Sequence, residues 1–238
     1  MKHSVVSTAP PEIEADALVV GIYHQAELPA AAQAIDAATD GAISRLLEIG
    51  EFEGKPNEAL SLHAPAGVAA NQVLLVGLGK QGEVTQQVAF QATGTAAKTL
   101  ASKPRKSVAF LLDESWNDEL CVAAIVGAMC GCVGQDLYRA EKSTHPIEQA
   151  MWPTSFQSSI NEGEAVGDSV NLTRLLVNEP PHALYPESFA NHAVAMAKEC
   201  GLEIEVWDET RLEKEGCGAL MAVGKGSSRP PRLAIMRH

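Results

Sequence analysis

The chain has 238 residues, 46% hydrophobic and 20% charged, with a formal net charge of −12, which suits one large domain or one domain plus part of another. That balance is too apolar for disorder and too acidic for a nucleic-acid surface, which needs clustered Lys and Arg to neutralise phosphates. The apolar charge-free run from Leu120 to Gly134 falls short of the ~20 residues of a membrane span, and Pro10, Pro11, Glu12, Glu14 and Asp16 interrupt any signal-peptide core, so a soluble cytoplasmic protein is expected.

The first 150 residues alternate between strand and helix patterns. Ala17-Leu-Val-Val-Gly-Ile-Tyr23 is a continuous apolar run, the pattern of a strand covered on both faces. The spacing of Ile35, Ala38, Ala42, Leu46 and Ile49 predicts one helix from about Ala30 to Ile49, stopped by Gly50. Gln72–Val76 and Ser107–Leu112 read as further buried strands, with a helix over 84–100 between them. A long helix is expected from Asn117 to about Tyr138, and its stripe of Ala124, Gly127, Gly131 and Gly134 would let it lie very close to a sheet. Each glycine there costs roughly 1 kcal/mol of helix propensity against alanine, so close packing is the compensation.

Residues 141–160 read as a polar joint holding Pro146 and Pro153. A second region follows: Asn161-Glu-Gly-Glu164 resembles a capping box, with Val166, Val170, Thr173 and Val177 forming a helical face up to Pro180-Pro181. Pro186 restarts a helix with the stripe Phe189, Ala193, Met196 and Cys200, and Gly201 ends it. Strands are expected at 202–206 and 232–236, with a short helix between them capped by Asp208. The alternation defines an α/β protein with a mainly parallel or mixed sheet.

The motifs that carry chemistry are sparse. Gly77-Leu-Gly-Lys-Gln-Gly82 matches G-x-G-x-x-G after a strand, but Glu83 would sit beside a pyrophosphate and no acidic residue stands about 20 positions on; a strand-to-helix turn accounts for it better. Gly224-Lys-Gly-Ser-Ser228 lacks the first glycine of a phosphate loop and reads as a turn. The seven histidines are scattered without metal spacing, and a shared ligand role for His182 and His192 has only their proximity in sequence to support it. Cys130 and Cys132 lie in an apolar helical run and read as buried thiols. On these residues alone no catalytic, cofactor-binding or metal-binding residue is assigned.

An ordered set of segments is more specific than any of these motifs: Val73-Leu-Leu-Val-Gly-Leu-Gly-Lys80 and Gln135-Asp-Leu-Tyr-Arg139, then Asn171-Leu-Thr-Arg174, Val177-Asn-Glu-Pro-Pro181, Pro186-Glu187, Gly218-Ala-Leu-Met-Ala-Val-Gly224 and Pro230-Pro-Arg-Leu233. In order and spacing they resemble the leucyl aminopeptidase (cytosol aminopeptidase) family. The resemblance implies a macro-domain-like N-terminal α/β domain over 1–150, and a linker helix with the incomplete start of a zinc-exopeptidase-like α/β domain over 151–238. It also implies a cytoplasmic hexamer that releases N-terminal residues from peptides with two divalent metals, zinc or manganese. The family's metal-binding stretches, Gly-Lys-Gly-x-Thr-Phe-Asp-Ser-Gly-Gly and Asn-Thr-Asp-Ala-Glu-Gly-Arg, do not occur before His238, and Lys225 fits an earlier turn. The expectation is therefore a chain inactive alone, with strands 202–206 and 232–236 lacking neighbours. Tyr185 stands where the family often has a capping threonine. The rival readings are a non-catalytic macro-like module binding a nucleotide-derived ligand such as ADP-ribose, and a hexamer-assembly module.

Overall fold

The computed structural model describes residues 1–134 and 136–238; Gln135, part of one segment quoted above, lies outside the described residues. The chain divides into two compact units, Met1–Asn171 and Leu172–His238.

The first unit is built on a six-stranded sheet. Its strands are β1 (Lys2–Val6), β2 (Ala17–Tyr23), β3 (Ala59–His63), β4 (Gln72–Gly79), β5 (Ser107–Leu111) and β6 (Gln149–Pro153), in the spatial order β1-β6-β5-β2-β4-β3. All neighbours are parallel except β3 and β4, so the α/β expectation holds. The period of two along β2 sorts its side chains between two cores. Leu18, Val20 and Ile22 pack with Ile35 and Ile43 on one face; Ala17, Val19 and Tyr23 pack with Ala96, Ile125 and Trp152 on the other.

The single helix expected over 30–49 is two, α1 (Ala30–Ala38) and α2 (Ala42–Glu48). The Asp36 carboxylate accepts from the amides of Ile43 at 2.8 Å and Ser44 at 3.0 Å, satisfying amides that open the second helix. Gly41 makes the corner at φ +76°, a conformation costly for a residue with a Cβ.

α3 (Gln86–Leu100) and α4 (Asp118–Gly131) cover the opposite face. The glycine stripe of α4 meets α3 rather than the sheet. A Cβ on Gly127 would lie 2.2 Å from the Phe90 carbonyl oxygen, and one on Gly131 2.3 Å from that of Gly94. α4 also ends at Gly131, short of Tyr138. Beyond it Asp136 accepts from the amides of Ser143 and Thr144, closing residues 136–144 into a loop. The joint expected over 141–160 contains β6, which pairs with β1 and β5.

A 3-10 turn over Thr154–Ser159 leads into α5 (Ile160–Asn178), so Asn161 is within a helix and not its cap. Ile160, Gly163 and Gly167 form the buried face of α5, whereas Val166, Val170 and Val177 are exposed. Gly163 meets Ile125 and Gly167 meets Met129, a close approach that valine would block.

The second unit contains α6 (Pro186–Cys200), β7 (Glu203–Trp207), α7 (Glu209–Lys214), α8 (Gly218–Gly224) and β8 (Leu233–Arg237). Ala190, Ala193 and Ala197 face inward on α6, and Phe189 and Cys200 are exposed, which rotates the expected stripe by about one residue. Ser188 Oγ accepts from the Tyr185 amide at 2.9 Å, compensating in part for the missing capping hydroxyl. The Tyr185 ring instead carries the Arg229 guanidinium, 3.8 Å from its centroid. Asp208 caps α7 as expected, accepting from Arg211 N at 2.9 Å. β7 and β8 do not lack neighbours: they pair antiparallel with each other.

Candidate functional site

In open α/β sheets, ligands bind beyond the carboxyl ends of strands where the chain reverses its direction of winding. β2 is such a place: the chain leaves it toward β4 on one side and returns to β5 on the other. A cleft of about 490 Å³ opens there, with Tyr23, Leu28, Pro29, Gln81, Asp113 and Ser115 among its lining.

Tyr23 is the last residue of β2, and Asp113 follows β5 by two positions. The Tyr23 hydroxyl donates to Asp113 Oδ2 at 2.6 Å and accepts from Trp116 Nε1 at 3.0 Å. Asp113 Oδ1 accepts from the Ser115 amide at 2.8 Å and its hydroxyl at 2.7 Å. Burial, and then the bond to Asp113, push the Tyr23 phenol well above its ordinary pKa. Burial alone would raise Asp113, but the bonds from Tyr23 and Ser115 outweigh it and hold that carboxyl below the usual range. The network is saturated and carries a fixed negative charge, reinforced by Glu27 and Glu114 in the same lining. It can hold a wall in place and repel anions; it presents no activated nucleophile. Sequence reading missed this cluster, whose only signal is that both Tyr23 and Asp113 stand at carboxyl ends of strands.

The residues singled out by motif are elsewhere. Gly77 and Gly79 belong to β4 itself, and their amides donate to Glu58 O and Gly54 O. A Cβ on Gly77 would lie 1.9 Å from the Lys55 carbonyl oxygen, so these glycines admit a neighbouring loop and leave no cradle for phosphate. Lys225 is exposed in a turn closed by Ser227 N donating to Gly224 O. His182 and His192 are exposed, and Cys130 and Cys132 are buried. Among the described residues no group of three or more His, Cys, Asp or Glu is arranged to hold a metal ion, and no helix is long and apolar enough to cross a membrane.

One half-buried histidine has a measurable consequence. His3 Nδ1 accepts from Trp152 Nε1 at 2.9 Å, and its Nε2 is buried without a partner among the described residues. Burial first, and the Met1 ammonium second, lower its pKa to about 4 against the opposing pull of Asp168. The folded chain thus holds the neutral ring while the unfolded chain takes up a proton at its ordinary value. Stability is complete above about pH 6.5 and falls as pH drops toward 4, by about 1–2 kcal/mol after allowance for solvent screening. Denaturant midpoints measured across that range should show the loss, and His3→Gln, which keeps an acceptor that does not titrate, should flatten it.

The architecture is thus an α/β unit with a mostly parallel sheet and a second, smaller α/β unit with a two-stranded sheet. Residues 19–142 match the model of the cytosol aminopeptidase family, N-terminal domain, and residues 171–238 match that family's catalytic domain. The chain belongs to the cytosol aminopeptidase family. A probable cytosol aminopeptidase of Rhodopirellula baltica is 41% identical over 189 residues, covering 79% of this chain and 37% of the relative. One from Nitrosococcus oceani is 34% identical, covering all of this chain and 50% of the relative. The chain spans about half or less of the length of these curated relatives. Among solved structures, the bottromycin maturation enzyme BotP in complex with Mn matches with a TM-score of 0.76 at 26% identity, covering 93% of this chain and 45% of that one. A mutant of tomato leucine aminopeptidase shares the fold at a TM-score of 0.83 and 20% identity, covering 99% of this chain and 50% of that one.

Proposed function

We propose that residues 1–150 are the macro-like N-terminal domain, and 151–238 the linker helix and opening of the catalytic domain, of a metal-dependent aminopeptidase. That enzyme releases N-terminal amino acids from peptides in the cytoplasm, works with two divalent ions, zinc or manganese, and assembles as a homo-hexamer. The observation that carries this reading is the pair of family matches in one order, 19–142 and 171–238. The residues present do not fit a two-metal centre: no cluster of three ligating groups exists among those described, and Lys225 is exposed. No residue of 1–238 is therefore given a catalytic or metal role, and no hydrolytic step is assigned to this chain. Its contribution is scaffold: α5 begins in the first unit and runs into the stretch matched by the catalytic-domain model.

The purified 238-residue chain, supplied with Mn²⁺ or Zn²⁺, should leave leucine-p-nitroanilide uncleaved. Metal-dependent release of nitroaniline would overturn the inactivity reading. The rival ADP-ribose reading meets an electrostatic objection. Pyrophosphate would approach Glu27, Asp113 and Glu114 at the cleft beyond the carboxyl end of β2, and like charges in contact are repulsive.

A further inference from the structure

A second concavity of about 490 Å³ lies between α3, α4 and α5, wholly within the first unit. Phe90, Val122, Val126 and Val166 give it an apolar floor, with Asp118, Glu119 and Glu162 among its lining. Phe90 is 38% and Val166 42% exposed, unusual for large apolar side chains that share one hollow. The acids are partly fixed in place: Asp118 accepts from the hydroxyls of Ser158 and Ser159, and Gln86 donates to Glu119.

The same unit displays the opposite chemistry. Leu137 is 38% and Tyr138 64% exposed, and Arg139 beside them is exposed as well. Their loop is braced from within. Lys142 Nζ donates to the carbonyls of Asp136 at 2.6 Å and Leu137 at 2.8 Å, and Asp136 accepts from the amides of Ser143 and Thr144. Two apolar side chains followed by a guanidinium match an apolar floor edged by carboxylates. A pre-shaped loop also loses little entropy on docking.

We propose that this groove receives the Leu137–Tyr138–Arg139 loop of a second copy of the chain, with Tyr138 on the Phe90–Val166 floor and Arg139 facing Glu119 and Glu162. The two surfaces lie at opposite ends of α4, whose fourteen residues span about 20 Å, so one molecule does not fill its own groove. The contact is head-to-tail, and such contacts close into rings when the rotation between copies permits. The net charge of −12 opposes association at long range, but beyond about 8 Å that repulsion is screened at physiological salt, whereas the contact pairs are not. Such a contact would serve the oligomer proposed above, yet it stands on the first unit's geometry and not on peptidase activity.

Sedimentation velocity on the 238-residue chain, from micromolar to millimolar concentration, tests it. The wild-type chain should show a sedimentation coefficient that rises with concentration. Arg139→Glu and Val166→Arg, both at exposed positions, should each weaken association by at least about tenfold, with circular dichroism unchanged. Mixing the two variants should restore a dimer and nothing larger, because one brings an intact groove and the other an intact loop. A wild-type chain that stays monomeric throughout, association indifferent to both variants, or a mixture that remains monomeric would overturn the proposal. Hydrolysis of leucine-p-nitroanilide is read separately, so either idea can fail without the other.

Discussion

Gly127→Val should destabilise the first unit by about 3 kcal/mol, at the upper end of what overpacking a close-packed core costs. The added Cβ would stand 2.2 Å from the Phe90 carbonyl oxygen and 2.3 Å from Thr93 Oγ1. The first obstacle is backbone and cannot rotate away. Thr93 is fully buried and its hydroxyl already donates to Ala89 O at 3.0 Å, so the side chain has no empty space to enter. The helices must separate, and separation uncovers Ala89, Ala96 and Ala97 of α3 together with Ala124 and Ala128 of α4, all fully buried. Gly218→Ala is the matched control. Gly218 opens α8, and a methyl group there would meet nothing within 4 Å, so that change should be neutral or stabilising by up to about 1 kcal/mol. Chemical denaturation followed by tryptophan fluorescence reads both, through Trp116 and Trp152 in the first unit and Trp207 in the second. Equal midpoints for Gly127→Val and the wild type would show that α3 and α4 do not depend on this contact.

That contact also shows what the sequence discloses and what it withholds. The glycine stripe announced a close approach, but nothing in its spacing says whether the partner is a sheet or a helix. β2 was readable because its seven residues are all buried, so the apolar run is uninterrupted. β1 and β6 were not, since Lys-His-Ser-Val-Val and Gln-Ala-Met-Trp-Pro have neither an apolar run nor clean alternation; pairing across the sheet decides them. In α5 the valines drew the eye, yet Gly163 and Gly167 make the contact because packing against Ile125 and Met129 selects for smallness. The cleft was hidden for a different reason. Tyr23 and Asp113 are 90 positions apart, and only the parallel pairing of β2 with β5 brings them together. By contrast, the ordered segments from Asn171 onward were legible as a family pattern without any tertiary knowledge.

Trp152→Ala should be the most damaging single truncation in the first unit, costing about 3–5 kcal/mol as large aromatic deletions in cores do. Trp152 is fully buried on β6, stacked 4.7 Å from Phe110 and 5.3 Å from Phe156. Its other neighbour is His3 on the edge strand β1, whose ring lies nearly parallel to the indole, 6.1 Å between centroids, and is joined to it edge to edge by a 2.9 Å hydrogen bond. Removing the indole therefore leaves a cavity in the core and takes away one side-chain tie between β1 and β6, leaving the bond from Gln149 Nε2 to Ser4 Oγ at 3.1 Å. Two consequences separate this from a generic core lesion. Amide exchange should accelerate in Lys2–Val6 more than in β2 or β4, because an edge strand held by one neighbour opens at lower free energy than a central one. The loss of stability between pH 6.5 and 4 should also shrink, since His3 would no longer be packed away from water against the indole. Trp152→Phe keeps a stacking surface but no donor, and should restore most of the stability while leaving His3 Nδ1 without its partner. Uniform acceleration of exchange across all six strands would mean that the Trp152–His3 contact does not hold β1.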